Sequence, residues 1–349
     1  MRRETVTFSD AFKTLHQEGL GFVDAGARDG VHPLFGEVAP LLDVVGFEPD
    51  AGECQRLRAT HDRWRSATYL PWGLGERDGE QSFHVCRVRG TSSFYRPNRA
   101  WLDRFPDPQR YEVIETQTVR VRSLDSLRHD PSMRMPRSID FIKLDTQGTE
   151  LNILKGAQAT LRGQVIGIEV EVEFAPFYEG QPLFRDVDAF LAGLGLSLFK
   201  LRRKSWVRRN CQARPQVSAG QVTAGDALYL RDPLEIGNAG GFAWSAHHVE
   251  ALVLLAALYD LHDFALEVLA DPRCSSAVET EALARAITTR SHQLDYRANG
   301  KGWLASAASL AKECLKGRAG LGNLYAWSLR QSWGRADSDK DFYTRASGQ

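Results

Sequence analysis

Four apolar runs of this 349-residue chain end in, or alternate with, carboxylates, and those carboxylates are its best equipment for chemistry. The first, Gly21-Phe22-Val23-Asp24-Ala25-Gly26-Ala27-Arg28-Asp29-Gly30, delivers Asp24 and then breaks into a glycine turn, with Gly26 where bare backbone can approach a ligand. About 24 residues on, Val44-Val45-Gly46-Phe47-Glu48-Pro49 ends in Glu48, at the separation where open α/β sheets hold the two hydroxyls of a ribose. Together the two segments predict a nucleoside clamp, with contacts from Asp24, Gly26, Ala27, Gly30, Glu48 and Pro49. A third run, Phe141 to Leu144, places Asp145 at the carboxyl edge of the sheet, ahead of a helix through Leu151, Ile153 and Leu154. Capping that helix is the bland role for Asp145, and chemistry the sharp one.

The fourth run is Ile166-Gly167-Ile168-Glu169-Val170-Glu171-Val172-Glu173-Phe174. A period of two puts Glu169, Glu171 and Glu173 on one face and Ile168, Val170 and Val172 on the other. A central parallel strand is normally apolar on both faces, so three adjacent carboxylates there repel and cost desolvation. Either the strand frays early and leaves Glu171 and Glu173 in solvent, or they face a cleft beside Asp145 as base, hydroxyl ligands or hard-cation ligands.

The turn also bears on the cofactor. A dinucleotide needs G-x-G-x-x-G so that backbone can meet its pyrophosphate, and the spacing of Gly26 and Gly30 is wrong for that. An acid ahead of the turn faces phosphates badly and suits a ligand carrying an ammonium and a sulfonium. S-adenosylmethionine is therefore the expected cofactor.

These residues need an α/β scaffold to place them. Strands are expected at Leu20 to Asp24, Asp43 to Glu48, Ala67 to Trp72, Ile139 to Asp145, Val165 to Val172, Leu196 to Leu201 and Ala227 to Leu230, the last pair antiparallel. That is a doubly wound, mostly parallel, seven-stranded Rossmann-like sheet. Alternation at Gln81 to Val85 and Thr116 to Arg122 predicts an inserted hairpin layer, with Arg89 to Arg110 between them as a mobile lid over the substrate. After Asp232-Pro233, Trp244 to Leu269 and Glu279 to Arg290 have helical periodicity, predicting a catalytic domain at 1–234 and a C-terminal α-helical appendage at 235–349. Its Trp244, Trp303, Trp327 and Trp333 are expected to pack, and His247 and His248 to lie on the surface or at a cap, since neighbouring helical positions diverge.

Bulk properties exclude more than they assign. With 44 basic and 44 acidic side chains, no global field recruits nucleic acid or an anionic membrane. The basic run Leu201 to Arg209 is expected as a solvated loop. Five scattered cysteines without a C-x-x-C pair imply neither a disulfide framework nor a thiolate zinc site and fit a reducing cytoplasm. No apolar segment near Met1 has the form of a secretory signal, and no membrane span is expected.

With these segments in order, the chain resembles the FkbM-type family of S-adenosylmethionine-dependent methyltransferases. The resemblance rests on FVDAGARDG, VVGFEPD, Thr91-Ser92-Ser93, Ser123-Leu124-Asp125-Ser126-Leu127, FIKLDTQGTELNILKGA and the glutamate strand leading to Phe174-Ala175-Pro176-Phe177-Tyr178. It implies O-methylation of hydroxyls on sugars, glycans or other secondary metabolites, as in polysaccharide modification. It also implies that Asp24 and Gly26 line the methionine moiety. Arg28 departs from the pattern and must point away from a sulfonium. Methyl transfer to an alcohol needs a base, and Asp145 with Glu171 or Glu173 is expected to supply it. Alternatively Asp145 or Glu173 anchors a magnesium ion that acidifies the hydroxyl. Ser92, Ser93, Tyr95 and Glu169 are the expected acceptor contacts. Competing readings are a nicotinamide-dependent sugar oxidoreductase, which lacks its pyrophosphate turn, and a catalytically silent scaffold whose appendage docks a protein partner or a second copy.

Overall fold

A computed structural model describes residues 8–60, 63–210, 220–235, 242–298 and 342–343, with side chains described to residue 292. Its strands are β1 (Leu20–Ala25), β2 (Leu42–Phe47), β3 (Ser66–Leu70), β4 (Gly73–Leu74), β5 (Gly79–Cys86), β6 (Val113–Arg122), β7 (Phe141–Leu144), β8 (Gly167–Glu173), β9 (Ser197–Trp206), β10 (Gln221–Leu230) and β11 (Phe342–Tyr343). The main sheet runs β11-β9-β10-β8-β7-β1-β2-β3. β10 is antiparallel to both β8 and β9, as its short connection from β9 predicts. All seven predicted strands are present, and the two-residue β11 adds an edge. Chain order reverses between β1 and β7, so a crevice opens at their carboxyl ends.

One face of the sheet is apolar throughout. Val23, Ile142, Ile168, Val170 and Val172 pack there against Leu151, Leu154, Leu161, Val187 and Leu191 of the crossover helices. The opposite face is divided. Its amino-terminal half, with Phe22, Phe141, Leu228 and Leu230, shares one core with the helices Ala246–Leu258, His262–Ala270 and Thr280–Ala298. The predicted C-terminal helices are thus present, and they form the layer over this half-face. In Ala246–Leu258, 11 of 13 residues are buried, as expected of a helix apolar on all sides and enclosed by sheet and neighbouring helices. That helix stops at Tyr259, and Asp260, at φ 61°, turns the chain into the next one.

Three expectations change on this scaffold. His247 is buried rather than superficial, because its ring meets Asp140 at 2.8 Å and Glu18 at 3.3 Å and so ties the helix to the sheet. The basic run from Leu201 is not a solvated loop through Trp206 but the second half of β9. Its alternate cations Arg202 and Lys204 turn inward to acids on β10 and β8 that lie far away in sequence. The span Arg89 to Arg110 is not a bare loop. Its Arg99–Leu102 helix buries Trp101 and Leu102, and Phe105, Phe177 and Trp206 complete an aromatic core, forming a packed cap. Trp244 packs against the core as expected, whereas Trp303, Trp327 and Trp333 lie outside the described residues. No helix among the described residues is long and apolar enough to cross a membrane.

Candidate active site

The cleft at the carboxyl ends of β1, β2 and β7 is walled by Trp72, Gly73 and Leu74 at the start of the small sheet β4-β6-β5, by Phe83 of β5, and by Arg89 to Phe94 of the cap. The glycine turn begins with Gly26 at φ +76°, a left-handed conformation in which an added Cβ would also collide with the Asp145 carbonyl oxygen. The amides of Gly26 and Ala27 both donate to the Phe47 carbonyl at 3.0 Å, fixing the turn beside the end of β2. Glu48 is buried there, accepts the Asp50 amide at 2.9 Å, and is pushed by burial up to about 7. Arg28 also lines the cleft, with its guanidinium bound to Asp50 at 2.9 Å.

Beneath this opening the second half of the divided face carries charge. Strand register aligns Asp24 on β1 with Lys143 on β7 and Glu169 on β8, and one pleat further on aligns Glu171 with Asp226 of β10 and Arg202 of β9. Asp24 is fully buried, makes no hydrogen bond, and faces the Lys143 ammonium at 3.6 Å. Burial pushes Asp24 up to about 6 despite that cation. Lys143 lies 3.9 Å from Asp145, and the surrounding acids hold its ammonium charged against the effect of burial. Lys204 bridges Glu171 at 2.8 Å and Asp226 at 3.4 Å, and Arg202 Nε donates to Asp226 at 2.7 Å.

The three expected catalytic acids differ in state. For Asp145 burial works against ionisation, but Lys143 and Lys204, with a hydrogen bond from the Glu171 carboxyl, hold it below the ordinary carboxylate range. Glu171 is raised by burial and by Asp145, and Glu173 is raised by burial, Glu150 and Glu171. β8 does not fray, since it stays buried through Glu173.

Gly26, Glu48, Pro49, Ser92 and Asp145 line the cleft. Asp24 and Ala27 are buried behind it, and Gly30 bonds back to Ala27 at 2.9 Å. Ser93 donates to the Gln147 carbonyl at 2.7 Å and Tyr95 receives the Asn152 amide at 2.9 Å, so both join the cap to the turn and helix after β7. Glu169 accepts a hydrogen bond from Tyr259. Among the described residues no three His, Cys, Asp or Glu side chains converge as a metal site, so we assign no metal to Asp145 or Glu173.

Five participants were missed in the sequence. Trp72, Phe83 and Phe94 give the cleft its aromatic walls, but they come from three separate segments. Lys143 hid as the polar residue of an apolar strand. Gln147, at φ +59°, was given no role between the strand that ends at Asp145 and the helix after it.

The sequence from 24 to 198, half of the chain, matches the model of the Methyltransferase FkbM domain. The chain belongs to this family. It carries a methyltransferase domain of the FkbM type, which speaks against the oxidoreductase alternative. No curated protein matches it. Among solved structures, the methyltransferase FkbM of Methylobacillus flagellatus is 16% identical, with a TM-score of 0.32 over 61% of this chain and 44% of that one. This FkbM chain therefore spans under half the length of that relative. The magnesium protoporphyrin IX methyltransferase of Synechocystis with bound SAM is 10% identical, with a TM-score of 0.28 over 66% of this chain and 86% of that one. The 16S rRNA (adenine(1408)-N(1))-methyltransferase of Catenulisporales acidiphilia is 15% identical, with a TM-score of 0.27 over 66% and 97%.

Proposed function

We propose that this enzyme methylates a hydroxyl of a sugar, glycan or secondary metabolite, with Asp145 as the base. The observation that carries the reading is Asp145 at the cleft wall, 3.9 Å from the Lys143 ammonium and next to a turn whose Gly26 admits no side chain. S-adenosylmethionine supplies an electrophilic methyl carbon bound to a cationic sulfur. The residues suit such a donor: Glu48 for the ribose hydroxyls, the Gly26 turn for close backbone approach, and an acidic surrounding for the cationic part. An alcohol is a weak nucleophile until its proton leaves, and a carboxylate in hydrogen-bond reach of the acceptor oxygen lowers that barrier. The aromatic walls from Trp72, Phe83 and Phe94 exclude water and let the acceptor oxygen line up with the methyl carbon. Balanced overall charge favours a small or glycan acceptor over nucleic acid.

A methyl-label screen across glycans, hydroxylated metabolites and RNA tests the acceptor class, and labelling of a nucleobase with no hydroxyl product would overturn it. With an acceptor found, Asp145→Asn should lower kcat by about 10²- to 10⁴-fold while S-adenosylmethionine affinity is kept. Glu48→Ala should do the reverse, weakening the donor roughly tenfold through loss of a ribose hydrogen bond.

A further inference from the structure

The charged half-face holds more acid than base. Among the described residues, Asp24, Asp145, Glu169, Glu171, Glu173 and Asp226 share the cations Lys143, Arg202 and Lys204. A dehydrated layer does not carry that many uncompensated negative charges, so it keeps protons at neutral pH. Most of these acids are committed to a partner. Asp226 is tied to Arg202 and Lys204, Asp24 faces Lys143, and Glu169 receives the Tyr259 hydroxyl.

Asp145 lines the cleft, and Gln147, which lines it too, ties Asp145 to the buried Glu171 behind it. One amide nitrogen, Gln147 Nε2, lies 3.0 Å from Asp145 Oδ1 and 2.5 Å from Glu171 Oε2. The same side chain accepts the Tyr178 hydroxyl at 3.1 Å through Oε1, and its carbonyl accepts Ser93 Oγ at 2.7 Å. A left-handed backbone at a residue other than glycine costs about 1–3 kcal/mol and persists where surrounding bonds over-determine it. Lys204 occupies the other oxygen of Glu171 at 2.8 Å. The amide takes up no proton, so its effect is to keep the buried Glu171 carboxyl within reach of Asp145 at the cleft wall.

We infer that the Asp145 and Glu171 pair exchanges one proton for the positive charge of the donor, losing it when the sulfonium binds and regaining it from the acceptor during transfer. This rests on Asp145 being the base. The acceptor oxygen forms its bond to the methyl carbon as the carbon–sulfur bond breaks, and the sulfur keeps that electron pair and becomes neutral. The hydroxyl proton passes to the carboxyl pair, so the site's total charge is the same before and after. The groups facing the pair are Lys143 on β7, Glu173 on β8, Lys204 on β9 and Asp226 on β10, with Glu150 on the following helix and Tyr111 and Tyr178 from the cap side.

The test compares S-adenosylmethionine with S-adenosylhomocysteine, which lacks the sulfonium charge and shares the amino, carboxyl and adenosine groups. Calorimetric titration of the full chain from pH 6 to 9, in buffers of different ionisation enthalpy, counts the protons released. The sulfonium ligand should release up to about one proton more, and its affinity should rise by as much as about tenfold per pH unit relative to the thioether. Glu171→Gln, which keeps the shape and removes the exchangeable proton, should bring the two ligands to the same count. Gln147→Gly, placed where glycine's backbone is at ease, should shrink the difference. Equal proton counts and parallel pH profiles in the unaltered protein overturn the inference while leaving Asp145 as a base. A difference that survives Glu171→Gln overturns the assignment to the pair, and failure to bind either ligand overturns both readings.

Discussion

The two faces of β8 are built from the same seven residues and live in opposite environments. Ile168, Val170 and Val172 enter an apolar layer covered by crossover helices, while Glu169, Glu171 and Glu173 enter a layer of acids threaded by three cations. Both sets are buried. Burial alone therefore says nothing about what a side chain does; the partners that neighbouring strands supply decide it. On the apolar face, close packing is the whole requirement. On the acidic face, β9 and β10 contribute Arg202, Lys204 and Asp226, and the leftover charge deficit is met by protons. The proposed chemistry lies on the second face, whose carboxyls can take up and release a proton as aliphatic side chains cannot.

The comparison breaks most sharply if an acid is tolerated on the wrong face. Val170→Asp places a carboxyl among Ile142, Leu154 and Leu191 with no cation to meet it, and should cost more than about 4 kcal/mol, read as loss of a cooperative urea transition. A folded variant of near-normal stability would show that the faces are interchangeable. Next in size is Lys204→Met. It fills the same space but strands Glu171 and Asp226, and should cost roughly 2–3 kcal/mol near neutral pH. The loss should shrink in strong acid, as Asp226, whose carboxyl burial raises but Lys204 and Arg202 hold down to about 2, takes up its proton. A gain in stability at pH 7 would mean that the cations burden the layer.

How much of this was legible follows the range over which each signal acts. The β1 and β2 segments were readable because an apolar run, its terminal acid and the Gly26 turn lie within ten residues of one another. The alternation of β8 was equally plain, and so was its oddity. Which environment the glutamates enter was not, because their partners sit on β9 and β10. The pairing of Lys204 with Glu171 spans 33 residues, and no local pattern marks Arg202 and Lys204 as inward-facing once the run reads as basic loop. The same distance hid the cap. Trp101 and Phe105 find Phe177 and Trp206 only after the chain has passed through three further strands of the structure, so a Pro-containing polar span looked like a lid without a core. His247 was misplaced for the same reason, its partner Asp140 being 107 residues away.

The smallest effect concerns the one cleft acid that has no cation of its own within ion-pair distance among the described residues, Glu48. In the folded chain its carboxyl stands at about 7, raised from an ordinary 4.5 by burial. Below pH 4.5 both folded and unfolded chains hold the proton, and Glu48 has no effect on stability. As pH rises toward 7 the unfolded chain gives the proton up while the folded chain retains it, so folding must take a proton from solution and stability falls. Glutamine never ionises and can still accept the Asp50 amide through Oε1. Glu48→Gln should therefore leave stability unchanged at pH 4 and raise it by on the order of 2 kcal/mol at pH 7.5, in the absence of ligand. Donor affinity should fall in the same variant, because the ribose hydroxyls lose an ionisable acceptor. A variant no more stable than its parent at pH 7.5 would mean that Glu48 is hydrated and ionised. It would then belong with the paired carboxylates beneath the cleft rather than with the residues whose instability is the consequence of keeping a binding site ready.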